Sequence, residues 1–333
     1  MNGKKKKSLP DFAAWGKECL ERSEKDDASK LLAPEPALYV VATPIGNLGD
    51  ITLRALWVLS QADAILCEDT RVSGGLLNMY GIKKPLISCH DHNEEARIAD
   101  VLARLAQGQT LALVSDAGTP TISDPGFKLV RACREAGQTV VALPGANAAL
   151  TALASAGLPT DRFLFVGFLP AKSAARRAAL AEIENVRATL VFYESAQRLG
   201  KTLADLAAVL SGGRQAAVAR ELTKLYEEAQ VATLDELSAH YESAETPKGE
   251  VVILVEGAAL SGGATVTNAD IDAALRTALK TMSVRDAATA VSAALGLKKK
   301  DVYQRALGLE QSNKQRHPVA TFFSPSYTND PMK

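Results

Sequence analysis

The sequence lacks several features that would point to a particular class of protein. It has no excess of either charge, since 38 Lys and Arg residues balance 38 Asp and Glu residues. No global electrostatic field therefore favours a polyanionic partner, and any nucleic-acid surface must be local. No apolar stretch approaches the roughly 18 to 20 residues that span a bilayer. The lysines at positions 4–7 lead into polar sequence rather than a signal-peptide core, so we expect a cytoplasmic protein.

Metal-binding and dinucleotide-binding signatures are also missing. The four cysteines are scattered and form no CxxC motif, which predicts buried, reduced thiols. The loop TPIGNLGD (43–50) has only Gly46 and Gly49 and does not match GxGxxG, which argues against a nucleotide-dependent oxidoreductase. His90 and His92 have no third metal ligand at a useful spacing. A polar loop that caps a helix at Asn93 is therefore favoured.

Short β-rich runs alternate with amphipathic stretches from Leu38 onward, which is the pattern of an α/β fold. In the first half, five runs predict one parallel sheet: Leu38–Ala42, Ala64–Cys67, Leu86–Ser88, Leu111–Val114 and Val140–Leu143. In the second half, four runs predict another α/β unit: Phe163–Gly167, Thr189–Tyr193, Ala216–Ala219 and Val251–Val255. A Gly/Ser/Thr-rich linker then precedes three helix-like stretches: Asn268–Thr281, Val284–Leu295 and Lys300–Leu309.

These patterns predict five segments. Residues 1–36 form a disordered extension, and two α/β domains cover residues 37–157 and 158–257. A small helical module covers residues 268–310, and residues 311–333 form a loose tail.

The segment SDAGTPTISDPG (115–126) directly follows a predicted strand. Its two glycines permit backbone geometry closed to other residues, and its two prolines stiffen the chain. A loop that leaves the carboxyl end of a strand in an α/β protein is where small ligands bind. We therefore expect this loop to hold a small polar cofactor.

Charged clusters follow three other predicted strands: EDTR (68–71), YES with Arg198 (193–198) and RELTK (220–224). Each has a structural alternative, because Asp69 or Thr70 can cap a helix and neighbouring Arg and Glu can neutralise each other. Several polar strand ends that face one cleft are, however, typical of a catalytic site. The basic residues Lys172, Arg176 and Arg177 predict either phosphate contacts or a solvated helix face.

Taken together, these strings resemble the tetrapyrrole-methylase family of S-adenosylmethionine-dependent enzymes, and within it the bacterial 16S rRNA (cytidine-2′-O)-methyltransferases. The resemblance covers about Leu38 to Gly257, through VATPIGNLGDITLRAL, EDTR, HNE, SDAGTPTISDPG, LPGANAAL, GFLPAKS, FYESAQR, ARELTK and KGEVVILVEG, in that order. The helical region after Asn268 is similar to a small domain found on many of these rRNA enzymes.

The resemblance implies two α/β domains with the methyl donor in the cleft between them, a homodimer, and 16S rRNA within the small ribosomal subunit as substrate, methylated at a cytidine of the decoding region. The residues implied to bind S-adenosylmethionine are Pro44, Ile45, Gly46, Ser115, Asp116, Ala117, Gly118, Thr119, Ile122, Ser123, Asp124, Pro144, Gly145, Phe168, Ala219 and Arg220. Methyl transfer is an in-line displacement, so a carboxylate near the ribose hydroxyl would assist proton removal. The candidates are Glu68, Asp69, Glu194 and Glu221, with Arg71, Arg198, Arg220 and Lys224 expected to hold phosphates.

The chain departs from the family pattern at two positions. The family more often has proline after Gly145, where this chain has Ala146, and it usually has histidine in place of Gln197. We therefore assign Gln197 no catalytic role. Two alternatives are a methylase of precorrin-type tetrapyrroles, which should lack the EDTR, FYES and RELTK strings, and a non-catalytic RNA-binding module, which would not need a donor cleft.

Overall fold

A computed structural model describes residues 34–243, 249–259 and 268–316. The described chain divides into two compact units, one ending at Gly257 and the other beginning at Ala258. The first unit contains ten strands in two sheets, and the second is helical. No described helix is long and apolar enough to cross a membrane. The predicted extension before residue 34 and the tail after residue 316 lie outside the described residues.

The first sheet is parallel and has the strand order β3-β2-β4-β1-β5. Its strands are β1 (Leu38–Val41), β2 (Ala64–Cys67), β3 (Leu86–Ser88), β4 (Leu111–Val114) and β5 (Val140–Ala142). Strands β1, β2 and β4 are buried along their whole length, as expected of a parallel sheet covered on both faces. All five predicted strands are confirmed, with ends that differ by at most one residue.

Helices cover the two faces of this sheet. They are α1 (Leu53–Gln61), α2 (Thr70–Met79), α3 (Glu94–Ala106) and α4 (Phe127–Glu135). The next helix, α5 (Ala148–Ser155), packs instead against the second sheet. Side chains fix several of their starts, since Thr52 accepts a hydrogen bond from the Ala55 amide and Asn147 accepts one from the Leu150 amide. Two separate apolar clusters, one on each face of the sheet, contain Cys67 and Cys89 respectively. Cys67, Cys89 and Cys133 are free and buried, as predicted.

The second sheet is mixed and has the order β6-β7-β10-β8-β9. Its strands are β6 (Phe163–Phe168), β7 (Thr189–Ser195), β8 (Gln215–Arg220), β9 (Glu228–Thr233) and β10 (Glu250–Val255). The helices α6 (Ser173–Ile183), α7 (Leu199–Leu210) and α8 (Leu234–Ser243) accompany it. The sequence reading missed β9, whose residues EAQVAT include only one strongly β-favouring apolar side chain. It forms as an edge strand because it pairs with β8.

The second unit consists of α9 (Asn268–Ala278), α10 (Val284–Leu295) and α11 (Lys299–Arg316). Its core contains Leu275, Ala288, Val291, Val302 and Ala306. Ser283 caps α10 by accepting a hydrogen bond from the Asp286 amide, and Gly296 ends it in the left-handed conformation. All three predicted helices are present, and the last continues past its expected end to Arg316.

Candidate functional site

Two loops at the carboxyl ends of neighbouring parallel strands lie side by side in the first unit. The Thr43 amide donates to the Gly118 carbonyl at 2.8 Å, and the Gly118 amide donates back to Thr43 at 3.0 Å. The Thr43 hydroxyl also donates to the Ser115 carbonyl at 3.1 Å. The loop after β1 and the loop after β4, both predicted to hold a donor molecule, therefore form one connected surface.

The loop after β4 has an unusual backbone. Thr121 and Ser123 have φ values of 74° and 63°, in the left-handed region that is costly for residues with a side chain. Gly126 has a φ of 120°, and a Cβ atom there would lie 2.6 Å from Leu113 Cδ2. The surrounding structure thus holds residues 115–126 in one shape, as a preformed ligand loop requires.

A cavity of about 430 Å³ opens beside this loop and has walls from both sheets. The first sheet contributes the loop after β4 and the start of α5, and the second contributes Phe168, the end of β7 and the start of β10. The lining residues are Ile45, Asp116, Ala117, Gly118, Thr119, Ile122, Ser123, Asp124, Asn147, Ala148, Phe168, Tyr193, Glu194, Ser195, Gly249, Glu250, Val251 and Val252. Its size is within the range of small-molecule sites.

Eight of the predicted donor-binding residues of the first sheet line this cavity: Ile45, Asp116, Ala117, Gly118, Thr119, Ile122, Ser123 and Asp124. Phe168 and Glu194 line it from the second sheet. The other donor-binding candidates do not line it: Pro44, Gly46, Ser115, Pro144, Gly145, Ala219 and Arg220. Some of these shape the loops instead, since a Cβ on Gly145 would lie 2.6 Å from the Ala42 Cβ and the Ser115 hydroxyl donates to the Gly118 carbonyl.

The charge of the lining has a single sign. Asp116, Asp124, Glu194 and Glu250 line the cavity, and the described lining includes no lysine, arginine or histidine. Glu194 lies 3.2 Å from Arg198 and Glu250 lies 3.5 Å from Lys224, whereas no ion pair involves Asp116 or Asp124 among the described residues. Carboxylates without such a partner favour a positively charged occupant and disfavour an anion. The cavity therefore suits a cationic small molecule and repels a phosphate group.

Asp124 has the most perturbed carboxyl group of this lining. Its pKa is raised to about 6, mainly by burial and also by the negative charges of Glu68, Asp116 and Asp91, while a hydrogen bond with the Ser115 side chain opposes the rise. Burial and the charges of Asp116 and Asp91 also raise the pKa of Glu68. Glu68 follows β2 and does not line the cavity.

The side chains of Asp69 and Arg71 form an ion pair with each other. Asp69 is the N-cap of α2, where its Oδ1 accepts from the Arg71 amide at 2.8 Å and its Oδ2 from the guanidinium at 2.7 Å. These hydrogen bonds lower the pKa of Asp69 to about 2 and raise that of Arg71. The helix-capping interpretation of EDTR is confirmed, and neither side chain lines the cavity.

Glu194 and Arg198 form a partly buried pair. The Arg198 Nε lies 3.2 Å from Glu194 Oε1, and the Thr202 hydroxyl donates to Glu194 Oε2 at 2.6 Å. The Arg198 Nη2 also donates to the Leu169 carbonyl at 2.7 Å. Because the Glu194 side chain is only 1% exposed, this network ties the end of β7 to the segment after β6.

The RELTK segment is also paired internally. Arg220 pairs with Glu228 at 2.5 Å, and Lys224 lies 3.0 Å from Glu221 and 3.5 Å from Glu250. Glu221 has a φ of 50°, so this turn is strained. All four cations predicted to hold phosphates, namely Arg71, Arg198, Arg220 and Lys224, therefore have a carboxylate partner within the chain.

The same segment packs on the loop after β1. The Asn47 amide donates to the Thr223 hydroxyl at 3.1 Å. A Cβ on Gly46 would lie 2.5 Å from Lys224 Cγ, so only glycine permits this approach. Although Gly46 does not line the cavity, it allows an element of the second sheet to meet the loop after β1.

Several lining residues were not among the predicted donor-binding or catalytic residues: Asn147, Ala148, Tyr193, Ser195, Gly249, Glu250, Val251 and Val252. The Tyr193 hydroxyl accepts a hydrogen bond from the Ala149 amide at 3.3 Å, and its ring contacts Phe165 and Phe168 edge to face. Burial raises its pKa, so the phenol stays neutral. The sequence signal that could have identified Tyr193 is its position in FYES, next to Glu194 and close to Arg198, which were both selected as catalytic candidates.

The basic stretch after β6 agrees in part with the solvated helix face, since Lys172 and Arg177 are exposed, but Arg176 fits neither sequence interpretation. Arg176 is 3% exposed, and its Nη2 lies 2.6 Å from Asp205 Oδ2. Arg177 pairs with the same carboxylate, which also accepts from the Ser173 hydroxyl. Arg176 is therefore neither a solvated residue nor a free phosphate ligand, because the buried Asp205 on α7 requires a partner.

The His90 loop is structural. Asn93 lies at the N-cap position of α3, where its Oδ1 accepts from the His90 amide at 2.8 Å. Within the described residues, no group of three or more His, Cys, Asp or Glu side chains could hold a metal ion.

Comparison with protein families gives two matches. Residues 37–238 match the family Tetrapyrrole (Corrin/Porphyrin) Methylases, and residues 265–310 match the RsmI C-terminal HTH domain. The two matched segments agree with the two-sheet unit and the helical unit.

Curated relatives carry the name "Ribosomal RNA small subunit methyltransferase I". The Mesorhizobium japonicum protein is 46% identical over 84% of this chain and 94% of its own length. The Haemophilus influenzae protein is 49% identical over 81% of this chain and 96% of its own. That of Escherichia coli O157:H7 is 56% identical over 66% of this chain and 77% of its own.

Solved structures share the fold at low identity. The methyltransferase CobJ has a TM-score of 0.51 at 23% identity, covering 67% of this chain and 95% of its own. Diphthine synthase has a TM-score of 0.50 at 15% identity, covering 66% of this chain and 90% of its own. These similarities support the two-sheet architecture alone.

Proposed function

Because the chain belongs to the tetrapyrrole (corrin/porphyrin) methylase family, we propose that it methylates the 2′-hydroxyl of a cytidine in the decoding region of 16S rRNA, with S-adenosylmethionine as donor. The observation that carries this proposal is 46 to 49% identity over more than four fifths of the chain to proteins named as small-subunit rRNA methyltransferases. The match to their C-terminal domain supports the same assignment.

The cavity fits the proposed donor. S-adenosylmethionine supplies an electrophilic methyl group on a positively charged sulfonium. The two lining carboxylates that have no ion-pair partner among the described residues, Asp116 and Asp124, favour such a cation. The preformed loop at residues 115–126 offers backbone donors and acceptors, and Phe168 supplies an apolar face. The residues present are therefore those that such a donor needs.

We propose indirect roles for the donor-binding candidates that do not line the cavity. Gly46, Gly145 and Ser115 would shape the loops around the donor, and Ala219 and Arg220 lie at the end of β8. Water exclusion and alignment of the hydroxyl with the methyl carbon would supply most of the rate.

The RNA backbone would remain outside the cavity. Carboxylates repel phosphates, so only the target nucleoside would enter. Arg71 is the best placed of the four proposed phosphate ligands, because its side chain is 88% exposed although paired with Asp69. Arg198, Arg220 and Lys224 are less accessible, and each would have to share its present carboxylate partner with a phosphate.

A precorrin-type methylase is the alternative with the same fold. Similarity to the methyltransferase CobJ is compatible with it. The C-terminal helical domain and the higher identity to rRNA methyltransferases favour RNA.

We also propose a homodimer that works in the cytoplasm, where bacterial ribosomal subunits are found. Large apolar side chains remain exposed on the two-sheet unit, including Phe163, Phe168 and Leu150. Exposed apolar groups of this kind are typical of subunit contacts. Sedimentation of the purified protein should give twice the mass of one 35.2 kDa chain, and a monomer at micromolar concentration would contradict the dimer.

The function is tested with small subunits from a strain that lacks the enzyme. The protein is incubated with them and with methyl-labelled S-adenosylmethionine, and labelled nucleotides are mapped. We expect label on the 2′-oxygen of one cytidine. Label on a tetrapyrrole precursor but not on RNA would favour the alternative, and no label on RNA would overturn the proposal.

A further inference from the structure

The carboxylates near the cavity differ in the hydrogen-bond and ion-pair partners of their oxygens. Glu194 accepts hydrogen bonds from the Thr202 hydroxyl and the Ser195 amide besides pairing with Arg198. Asp69 is held by Arg71, which makes it a weak proton acceptor. A proton on either carboxylate would disrupt an existing pair.

The other two candidates are also poorly suited. Glu221 is paired with Lys224, and its side chain lies against Gly249, where an added Cβ would overlap its carboxylate. Glu68 is free of such a pair, but it does not line the cavity. None of the four carboxylates predicted from the sequence combines an unpaired group with access to the cavity.

Asp124 combines both properties. It lines the cavity at the end of the strained loop, where the backbone of Thr121 and Ser123 fixes its position. Glu68, Asp116 and Asp91 act on it from the ends of three strands of the first sheet.

The second sheet faces Asp124 with a neutral group. Tyr193 lies near enough for Asp124 to influence its titration, and its hydroxyl is hydrogen-bonded to the Ala149 amide. Among the described residues, no lysine, arginine or histidine forms an ion pair with Asp124, and the charges that act on it most strongly are those of Glu68, Asp116 and Asp91. Its carboxylate is therefore unneutralised, partly desolvated and open to a ligand in the cavity.

We propose that Asp124 accepts the proton of the substrate hydroxyl during methyl transfer. This inference rests on the proposed function and assigns its general base. The ribose oxygen forms a bond to the methyl carbon as the methyl–sulfur bond breaks. The electron pair of that bond stays on sulfur, and the hydroxyl proton passes to an Asp124 oxygen.

The environment of Asp124 supports this role. A pKa near 6 leaves most of the carboxylate ionised at pH 7.5 and makes it more basic than an ordinary aspartate. A base whose pKa lies close to the working pH is the most effective in general base catalysis. Burial and the three neighbouring acids produce this value without a dedicated partner.

The test compares the full-length wild type with Asp124→Asn and Asp124→Glu. Methyl transfer to small subunits from a strain lacking the enzyme is measured between pH 5 and 9. Donor-site binding is measured separately by calorimetry with S-adenosylhomocysteine. Asp100→Asn is the matched control, since Asp100 pairs with Arg104 on the surface of α3.

We expect Asp124→Asn to lower kcat by about 100-fold or more, the usual range for loss of a general base, and to lower S-adenosylhomocysteine affinity much less, because that molecule lacks the sulfonium charge of the donor. Asp124→Glu should retain part of the activity. The wild-type kcat/KM should fall below about pH 6, because kcat/KM reports the pKa values of the free enzyme, and Asp124→Asn should lose this acid limb.

Three results would overturn the inference but leave the proposed function standing. They are a loss of kcat smaller than about tenfold, an acid limb that persists in Asp124→Asn, and a loss of methyl transfer that weaker S-adenosylhomocysteine binding explains. A wild type that labels no RNA would instead reject the proposed function and the inference with it.

Discussion

At the scale of single residues, the carboxyl groups around the cavity fall into two kinds. Asp69, Glu194 and Glu221 are held by arginine or lysine, whereas Asp124 is partly buried among other acids. A desolvated carboxylate without a cation costs stability when it is charged, and sites of this kind commonly exchange stability for function.

Asp124→Asn should therefore stabilise the protein at alkaline pH. The folded-state pKa of Asp124 is raised, so its native form binds more protons between about pH 4 and 6, and wild-type stability is lost as the pH rises through this window. After allowance for solvent screening, we expect a gain of about 1 kcal/mol at pH 8 and none at pH 4. Urea unfolding at both values measures it. An equal gain at both would contradict the assignment.

Glu194→Gln should act mainly on stability. It leaves the Arg198 guanidinium without its carboxylate, and removal of one partner from a buried pair costs about 3 kcal/mol. Glu95→Gln is the control, because Glu95 and Lys128 are both exposed and their ion pair should contribute little to stability. If urea unfolding of Glu194→Gln matched wild type while methyl transfer fell about 100-fold, Glu194 would be catalytic after all.

At the scale of elements, the cavity depends on loops that meet across the two sheets. The loop after β1 contacts the segment after β8 through Asn47 and Thr223. The loop after β4 meets β6, where a Cβ on Gly167 would lie 3.2 Å from the Ser123 hydroxyl. At Gly46 the close approach itself requires glycine, and at Gly167 the φ of 75° favours it.

Gly46→Ala should separate the first pair of loops. Its Cβ would lie 2.5 Å from Lys224 Cγ and 3.0 Å from the Thr223 hydroxyl oxygen. We expect S-adenosylhomocysteine affinity to fall about tenfold, or about 1.4 kcal/mol, as measured by calorimetry. Gly75→Ala is the control, since Gly75 lies in α2 with open space around it. Unchanged affinity in Gly46→Ala would show that this contact does not shape the donor site.

At the scale of the whole molecule, zero net charge leaves RNA binding to local basic surfaces. The basic stretch after β6 presents fewer accessible cations than its sequence suggests, because Arg176 is buried. Lys298, Lys299 and Lys300, at the start of α11, are all exposed. The helical unit therefore offers the more accessible cations.

Replacing these three lysines with glutamine should make RNA binding less sensitive to salt. Each lost phosphate contact lowers the slope of log affinity against log salt by about 0.7 to 0.9. The triple variant should therefore lose about 2 from the slope measured with small subunits. Lys128→Gln is the control, because Lys128 is paired with Glu95. A slope equal to wild type would mean that these lysines do not contact phosphate.

The sequence by itself determined nine of the ten described strands, the three terminal helices and the order of the ligand loops. Each of these depends on neighbours along the chain: alternation or continuous apolar runs for strands, and glycine, proline and capping residues for loops. Eight of the first-sheet residues expected to bind the donor line the cavity for this reason, since they lie on loops at one edge of a parallel sheet.

Only the tertiary structure decided which charged side chains are buried or held in ion pairs. Arg176 and Asp205 are separated by 29 positions, yet they form a buried pair. Glu250 and Tyr193 reach the cavity because β10 pairs with β7. Strand β9 forms because β8 offers it an edge. Burial and ion pairing depend on contacts between distant segments. Carboxylates with similar sequence signals therefore differ in the structure: Asp69 caps a helix, Glu194 is buried in an ion pair, and Asp124 lines the cavity without an ion-pair partner.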